Sequence, residues 1–126
     1  MSGTTLEHVN VTVAGPHVTA DWMCTVFGWH RRWEGPLSQG GYSIHVGGPD
    51  SYLAVNKRGD AVARPDMYEV IGGLNHIALV VDDLDATEAR VAAAGFSTHS
   101  HADYEPGRRF YFRDQDDIEY EIVSYA

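Results

Sequence analysis

Apolar and polar residues alternate along several short stretches of this chain, and two of these stretches repeat each other. The segment LEHVNVTV at 6–13 returns as LNHIALVV at 74–81, with His8 and His76 at the same place, 68 positions apart. Because the side chains of a strand point alternately to its two faces, such alternation predicts half-buried strands. The chain is therefore predicted to hold two copies of a unit that begins with a strand.

A helix is predicted after each of these strands. The first stretch, GPHVTADWMCTVFGW, has Pro16 near its start, and the second, DDLDATEARVAAAGF, has Asp83 as its expected N-cap. Each stretch ends at a glycine followed by an aromatic residue, at Gly28 and at Gly95. Glycine at this place is typical of a helix C-terminus.

Three more alternating segments follow each helix. They span about 29–34, 41–47 and 51–57 in the first half and about 96–101, 108–113 and 118–125 in the second. The order strand, helix, strand, strand, strand predicts an α+β fold of two βαβββ modules with mixed sheets. We expect one domain over 1–126, with a first module at about 5–57, a linker at 58–72 and a second module at about 73–126.

Alternation also predicts which side chains occupy the sheet face away from the helices. That open face is predicted to collect His8, His45, His76, Arg109, Tyr111 and Glu121. With the offset of 68 applied to every strand, Leu53 corresponds to Glu121, and Tyr42 corresponds to Phe110. The open face is therefore the expected functional surface.

Two histidines and one carboxylate on this face predict a metal site. A carboxylate that points inward from a strand needs a cation or a donor beside it. Imidazole and carboxylate ligands suit iron, nickel, zinc or manganese and leave positions open for water and substrate. His8, His76 and Glu121 are the predicted ligands. In the alternative interpretation the histidines are hydrogen-bonded core residues, and Glu121 pairs with Arg109 or Arg113.

Charge and composition exclude several other functions. Eighteen acidic residues against nine basic ones give a formal charge of −9, which disfavours a nucleic-acid partner. The single cysteine, Cys24, excludes an internal disulfide framework. No secretory leader and no run of about 18 apolar residues are visible. We therefore expect a cytoplasmic protein with no membrane partner.

The segments LEHVNVTV, LNHIALVV and YFRDQDDIEYEIV resemble the vicinal oxygen chelate superfamily, which includes glyoxalase I, extradiol dioxygenases, fosfomycin resistance enzymes and bleomycin-binding proteins. The resemblance implies an open, cup-shaped mixed sheet around one divalent ion per site, Fe²⁺, Mn²⁺, Ni²⁺ or Zn²⁺. It also implies that His8, His76 and Glu121 are the ligands. The usual D-P-D-G turn stands here as D-Q-D-D at 114–117.

The resemblance leaves several functions open. Leu53 stands where glyoxalase I has a fourth ligand, so the three-ligand pattern is closer to the dioxygenases and the phosphonate-modifying enzymes. We expect a metal-dependent enzyme that acts on a small molecule with vicinal oxygens, by lyase or dioxygenase chemistry. A non-catalytic protein that binds and sequesters an antibiotic or metabolite is the alternative, and a dimer with a vestigial site is a third class.

Three residues of the open face are the catalytic candidates. Tyr111 and His45 would transfer protons, and Arg109 would bind an anionic group of the substrate. His99 and His101 are either a mobile acid–base pair over the site or part of a solvated loop.

A homodimer is the expected assembly, because the exposed edges of a small open sheet invite a second copy. We predict that His8 of one chain completes a site that holds His76 and Glu121 of the other. The linker at 58–72 is long enough for this exchanged pairing and for pairing within one chain.

Overall fold

A computed structural model describes residues 3–38, 40–63, 65–104 and 107–126 of the chain. The chain divides into two compact units, Met1–Val62 and Ala63–Ala126. Each unit consists of a strand, a helix and three further strands, in that order. The predicted α+β fold of two βαβββ modules is confirmed.

The strands and helices lie within a few residues of their predicted positions. The first unit contains β1 (His8–Thr12), α1 (Pro16–Phe27), β2 (His30–Pro36), β3 (Tyr42–Gly47) and β4 (Tyr52–Lys57). The second unit contains β5 (Ile77–Val80), α2 (Leu84–Ala93), β6 (Thr98–Tyr104), β7 (Gly107–Arg113) and β8 (Glu119–Ser124). The largest difference affects the repeated strand of the second unit, because His76 lies immediately before β5 and not within it.

Each unit has one four-stranded mixed sheet. The strand orders are β1-β4-β3-β2 and β5-β8-β7-β6. In both sheets the first strand runs parallel to the last, and the other neighbours are antiparallel. The last strand of each unit is therefore central, and the side chains of its neighbours flank it on both sides.

Local chemistry explains where the helices begin and end. Pro16 occupies the first turn of α1, and Gly28 ends it with a φ of 70°. The side chain of Asp83 accepts a hydrogen bond from the N–H of Ala86 at the start of α2, and Gly95 follows that helix with a φ of 98°. These caps are the ones predicted. No helix among the described residues is long and apolar enough to cross a membrane.

The helices cover one face of each sheet. In the first unit Met23 and Val26 of α1 are fully buried, as are Ile44 and Val46 of β3. In the second unit the fully buried set consists of Val91, Phe110, Phe112 and Ile122. Burying such side chains is worth about 1.5–3 kcal/mol each, so these two faces supply most of the stabilisation. The opposite faces carry the polar residues.

A buried aspartate organises the turn that leads into β8. Asp114 is 5% exposed, and its Oδ1 accepts the N–H groups of Asp116 and Ile118 at 2.9 and 3.1 Å. Its Oδ2 accepts the hydroxyl of Tyr120 at 2.9 Å. Burial raises the pKa of Asp114, and these hydrogen bonds act in the opposite direction. Asp117 has a φ of 60°, so the turn keeps a left-handed position without glycine.

The strand registers correct the correspondence between the two units. His45 of β3 lies opposite Ala54 of β4, and Tyr111 of β7 lies opposite Glu121 of β8. Ala54, and not Leu53, therefore corresponds to Glu121. Leu53 is buried on the face that packs on α1, so a carboxylate placed there would face the core and not the open face.

Unequal connections cause this change of register. The link from β2 to β3 is longer than the link from β6 to β7, while the link 48–51 is one residue shorter than the link 114–118. The offset therefore falls from 68 to 66 in the third strand and returns to 67 in the fourth. Ile44 corresponds to Phe110, whereas Tyr42 is not a core residue and donates its hydroxyl to Glu34.

Two glycines at equivalent positions support the corrected correspondence. A Cβ on Gly41 would lie 2.2 Å from the carbonyl oxygen of Lys57, and a Cβ on Gly107 would lie 2.3 Å from that of Ser124. Both distances are far below van der Waals contact, and both carbonyls belong to backbone. Each unit thus needs glycine where the chain enters its third strand.

We predict that Gly41→Ala and Gly107→Ala each lower the free energy of unfolding by about 1–3 kcal/mol, because the backbone must move to admit the methyl group. Gly48→Ala is the control, since a Cβ there has no neighbour within 4 Å. Urea denaturation measures all three variants. Stabilities equal to that of Gly48→Ala would contradict the close approach.

Candidate functional site

Two of the predicted metal ligands lie side by side in the second unit. Glu121 comes from the central strand β8, and His76 comes from the residue before β5, which runs parallel to β8. The Nε2 atom of His76 is 3.0 Å from Oε1 of Glu121, whose side chain is only 10% exposed. A carboxylate this deeply buried needs partners of opposite charge or hydrogen-bond donors.

Arg109 donates a hydrogen bond to the second carboxylate oxygen of Glu121. Its Nη1 atom donates to Oε2 of Glu121 at 2.7 Å, and the same guanidinium donates to the carbonyl of Gly107 from Nε and Nη2. The side chain of Arg109 is 12% exposed. The arginine therefore fixes the orientation of the carboxylate, and its guanidinium is engaged by protein groups.

The geometry of His76 and Glu121 fits a divalent ion. Two ligand atoms at neighbouring positions around one ion, each at about 2.1 Å from it, lie about 3 Å apart. The observed separation of 3.0 Å between Nε2 and Oε1 agrees with this distance, and it is also the distance of a direct hydrogen bond. Over the described ranges, no three His, Cys, Asp or Glu side chains are grouped so that they could hold a metal ion. The three-residue ligand set thus stays a prediction.

His8, the remaining predicted ligand, belongs to the first unit. Its Nδ1 atom is 2.8 Å from Oε1 of Glu7, and its ring stacks on Tyr52 with centroids 4.8 Å apart. A carboxylate on one imidazole nitrogen leaves the other nitrogen for a ligand, as is common for histidines that bind metals. The nitrogen of His8 that would bind an ion is therefore Nε2.

His45 lies on the same face of the first unit as His8. Its ring centroid is 4.6 Å from that of Tyr52 and 4.9 Å from that of Trp33. Burial lowers the pKa of His45, and the charges of His8 and Arg32 lower it further. The neutral imidazole is the favoured form, which can accept a proton.

Tyr111 lies beside the His76–Glu121 pair. It is opposite Glu121 in the register of β7 and β8, and the edge of its ring faces His76 with centroids 5.6 Å apart. On its other side its ring stacks on His99 at 6.2 Å. The structure thus brings Tyr111, Arg109, His76 and Glu121 together in the second unit, and His8 and His45 together in the first.

A second buried carboxylate, Glu119, belongs to the same face and was not among the predicted site residues. Its side chain is 7% exposed, and its Oε2 atom lies 3.2 Å from Nε2 of His99 and 3.4 Å from Nε of Arg113. The hydroxyl of Tyr68 donates to its Oε1 atom. Glu119 could have been found by alternation, because it is two residues from Glu121. No sequence pattern marks Tyr68, which lies in the stretch assigned to the linker.

His99 and His101 do not form the acid–base pair considered from the sequence, and they do not lie in a loop. Both belong to β6, where the register shifts between His99 and Ala102 and Ser100 has a φ of 56°. As a result His99 faces Glu119, while Nε2 of His101 lies 2.5 Å from Glu88 of α2. Only His99 belongs to the site.

These side chains surround a surface pocket in the second unit. It has a volume of about 370 Å³ and is lined by Tyr68, His76, His99, Ser100, Tyr111, Arg113 and Glu119. Two tyrosines, two histidines, one arginine and one glutamate therefore face one small space. Such a pocket suits a small polar molecule and not a macromolecule.

A family model describes nearly the whole chain. The Glyoxalase/Bleomycin resistance protein/Dioxygenase superfamily matches residues 5–122. The chain belongs to this superfamily. Comparison with curated protein sequences gives no match.

Solved structures of the superfamily share the fold. A glyoxylase/bleomycin resistance protein/dioxygenase domain from Frankia sp. EAN1pec has a TM-score of 0.81 at 23% identity over 98% of each chain. The fosfomycin resistance protein FosX from Mesorhizobium loti has a TM-score of 0.73 at 21% identity, over 97% of this chain and 92% of that one. FosX from Listeria monocytogenes, complexed with Mn(II) and sulfate, has a TM-score of 0.75 at 18% identity, over 98% and 93%.

The corrected register does not change the expectation that the position equivalent to Glu121 in the first unit has no metal-binding side chain. The position equivalent to Glu121 holds Ala54, and neither alanine nor the leucine expected from the sequence can bind a metal. The first unit therefore offers no ligand side chain at the position equivalent to Glu121. The turn before β8 keeps a residue in the left-handed conformation, because Asp117 adopts it.

We predict strong energetic coupling between Arg109 and Glu121 in the metal-free protein. In a double-mutant cycle with Arg109→Leu and Glu121→Gln, the double variant should be more stable than the sum of the single losses by about 1–3 kcal/mol, because either single change leaves a buried group without its partner. Urea denaturation in the presence of a chelator measures the cycle.

The pair Arg108–Asp85 is the matched control, since its side chains are 52% and 75% exposed and its contact is similar, at 2.9 Å. Arg108→Leu and Asp85→Asn should show much weaker coupling, because solvent screens an exposed pair. Equal coupling in the two cycles would contradict the special role of the buried pair.

Proposed function

We propose that this chain is a metal-dependent enzyme that acts on a small molecule with two vicinal oxygens, by lyase or dioxygenase chemistry. His8, His76 and Glu121 hold one divalent ion, Fe²⁺, Mn²⁺, Ni²⁺ or Zn²⁺. The observation that carries the proposal is the contact of the half-buried His76 with the buried Glu121, with 3.0 Å between the ligand atoms and Arg109 on the other oxygen of the carboxylate. The Mn(II) complex of the Listeria FosX, a member of the same fold, supports it.

The ion, when bound, supplies Lewis-acid stabilisation for negative charge on substrate oxygens. Arg109 keeps the Glu121 carboxylate in a single orientation by binding its Oε2 atom. Because the side chain of Glu121 is only 10% exposed, water screens its negative charge little, and Arg109 compensates part of that charge. The fixed orientation of Glu121 and the weak screening of its charge by water both favour cation binding by the His76–Glu121 pair.

Tyr111 and His45 are the groups proposed to move protons. Tyr111 lies next to His76 and can give or take a proton at Oη, and His45 can accept one because its lowered pKa favours the neutral ring. The two residues occupy equivalent positions of the two units, as do His8 and His76. The repeat thus supplies one ligand histidine and one proton-transfer residue from each unit.

A second candidate function is binding of a flat molecule without catalysis. In the first unit, Trp33 is 52% exposed and its ring contacts that of His45 at a tilt of 51°, and the guanidinium of Arg32 lies 4.6 Å from the ring centroid of Tyr52. Such an aromatic and cationic surface can hold a planar ligand by stacking. Binding that persists in the presence of a chelator would favour this function over the enzyme.

We predict that the purified protein binds about one divalent ion per pair of modules. His8→Ala, His76→Ala and Glu121→Gln should each weaken binding by more than about 100-fold, because each removes a direct ligand and not an outer one. His30→Ala is the control, since that exposed histidine lies at the start of β2. Metal analysis and competition with a chelator give the affinities.

Activity is then tested on catechols, hemithioacetals, and fosfomycin with thiols, with and without chelator. Unchanged metal content in all three ligand variants would contradict the proposed site. Activity that survives complete removal of the ion would contradict a metal-dependent reaction.

We also predict a homodimer in which His8 of one chain completes the site of the other. When a His8→Ala chain is mixed with a Glu121→Gln chain, exchanged pairing rebuilds one intact site per heterodimer, whereas pairing within a chain rebuilds none. Metal binding by the mixed dimers distinguishes the two. A persistent monomer at micromolar concentration, measured by analytical ultracentrifugation, would contradict the dimer itself.

A further inference from the structure

The outer nitrogen of His76 faces a tyrosine. Oη of Tyr68 lies 3.5 Å from Nδ1 of His76, longer than the usual hydrogen-bond distance of about 2.7–3.2 Å, and the two rings are 27° from parallel. Nε2 of the same ring faces Glu121 at 3.0 Å. The two nitrogens of His76 thus have different neighbours, and Nδ1 points away from the Glu121 carboxylate.

The hydroxyl proton of Tyr68 is directed to Glu119. Tyr68 donates to Oε1 of that residue, and an ionised carboxylate can only accept. A phenol is protonated at neutral pH, so the Tyr68 hydroxyl has one proton to donate. Because its single proton goes to Glu119, the Tyr68 oxygen is an acceptor toward Nδ1 of His76.

Glu119 is itself held in place from two further sides. Arg113 and His99 both contact its Oε2 atom, and the side chain is 7% exposed. A carboxylate fixed in this way gives Tyr68 one preferred position. Tyr68 itself is 43% exposed, and its hydroxyl contacts both Glu119 and His76, so these contacts link the fixed carboxylate to the His76 ring.

We propose that, when an ion takes the place of the proton between Nε2 of His76 and Glu121, Glu119 and Tyr68 form an outer-sphere relay that holds the His76 ring with its proton on Nδ1, so that Nε2 is presented to the metal ion. The inference deepens the proposed function and rests on it. It makes Tyr68 and Glu119 positioning residues. Histidines that bind metals commonly donate their second N–H to an oxygen acceptor, and loss of that acceptor weakens metal binding by about 10–100-fold.

The relay is the counterpart of Arg109. Arg109 orients Glu121, and the Tyr68–Glu119 relay orients His76, so each ligand of the second unit has a support of its own. Glu119 also places a negative charge near the ion. A test must therefore separate the hydrogen-bond relay from simple electrostatic attraction.

The experiment compares Tyr68→Phe, Glu119→Gln and the double variant with the wild type, with Mn²⁺ and Zn²⁺ as the probes in chelator competition. Tyr68→Phe should weaken binding by about 10–100-fold, since it removes only the hydroxyl. The metal affinity of the double variant should equal that of the single variant with the lower affinity, because both changes break the same relay. Tyr42→Phe is the matched control: it also removes a tyrosine-to-glutamate hydrogen bond, at 2.8 Å to Glu34, and should bind as the wild type does.

A spectroscopic readout separates positioning from a structural role. In the zinc-loaded wild type, long-range ¹H–¹⁵N spectra should show His76 bound through Nε2, with an Nδ1–H signal that exchanges slowly with water. In Tyr68→Phe that proton should exchange faster while the spectrum of the remaining chain is unchanged. If Tyr68→Phe fails to fold, Glu119→Gln provides the same comparison.

The outcomes distinguish this inference from the proposed function. Wild-type affinity in Tyr68→Phe, or losses that multiply in the double variant, would overturn the relay and leave the metal site standing. Zinc bound through Nδ1 of His76 would also overturn it. A wild-type protein that binds neither ion would overturn the proposed function, and the relay with it.

Discussion

The burial of Glu121 is the constraint on which the rest of the site depends. A carboxylate that is 10% exposed must be compensated, and here a histidine and an arginine each take one of its oxygens. The arrangement orients the carboxylate rigidly and places an imidazole nitrogen at the distance expected of a second ligand. From the sequence, metal binding by Glu121 and pairing with an arginine were alternatives. In the structure Glu121 pairs with Arg109 through one oxygen and contacts His76 through the other, and metal binding stays a prediction.

Glu121 can occupy this position because β8 is the central strand of its sheet. Hydrogen bonds from both neighbours hold the strand, and the turn before it is organised by the buried Asp114. Glu119 and Glu121 consequently point to one face at a fixed spacing. Arg113 of β7 lies opposite Glu119, and Arg109 of β7 reaches Glu121 from the position opposite Val123. A shift of one residue would send both carboxylates into the core. The register of this strand therefore determines the chemistry of the whole pocket.

The two units use one scaffold for different chemistry. Equivalent positions hold His45 and Tyr111, and the position of Glu121 is occupied by Ala54 in the first unit. The first unit consequently presents an aromatic surface, with His8, His45 and Tyr52 in contact, whereas the second presents paired charges. The two units share one backbone arrangement, and their side chains differ. The proposed roles of metal binding and substrate contact are therefore distributed over both units.

Alternation and internal repetition in the sequence were sufficient to determine the βαβββ modules, the helix caps and the face shared by Arg109, Tyr111 and Glu121, because these depend on local periodicity. Other features depended on tertiary structure. The shift of the repeat offset, which replaces Leu53 by Ala54, arises from connection lengths that change register without changing the pattern. The separation of His99 from His101 required a bulge at Ser100, and the contact of Tyr68 with Glu119 joins residues 51 positions apart. No periodicity encodes such a contact, since it forms only when the chain folds back on β8.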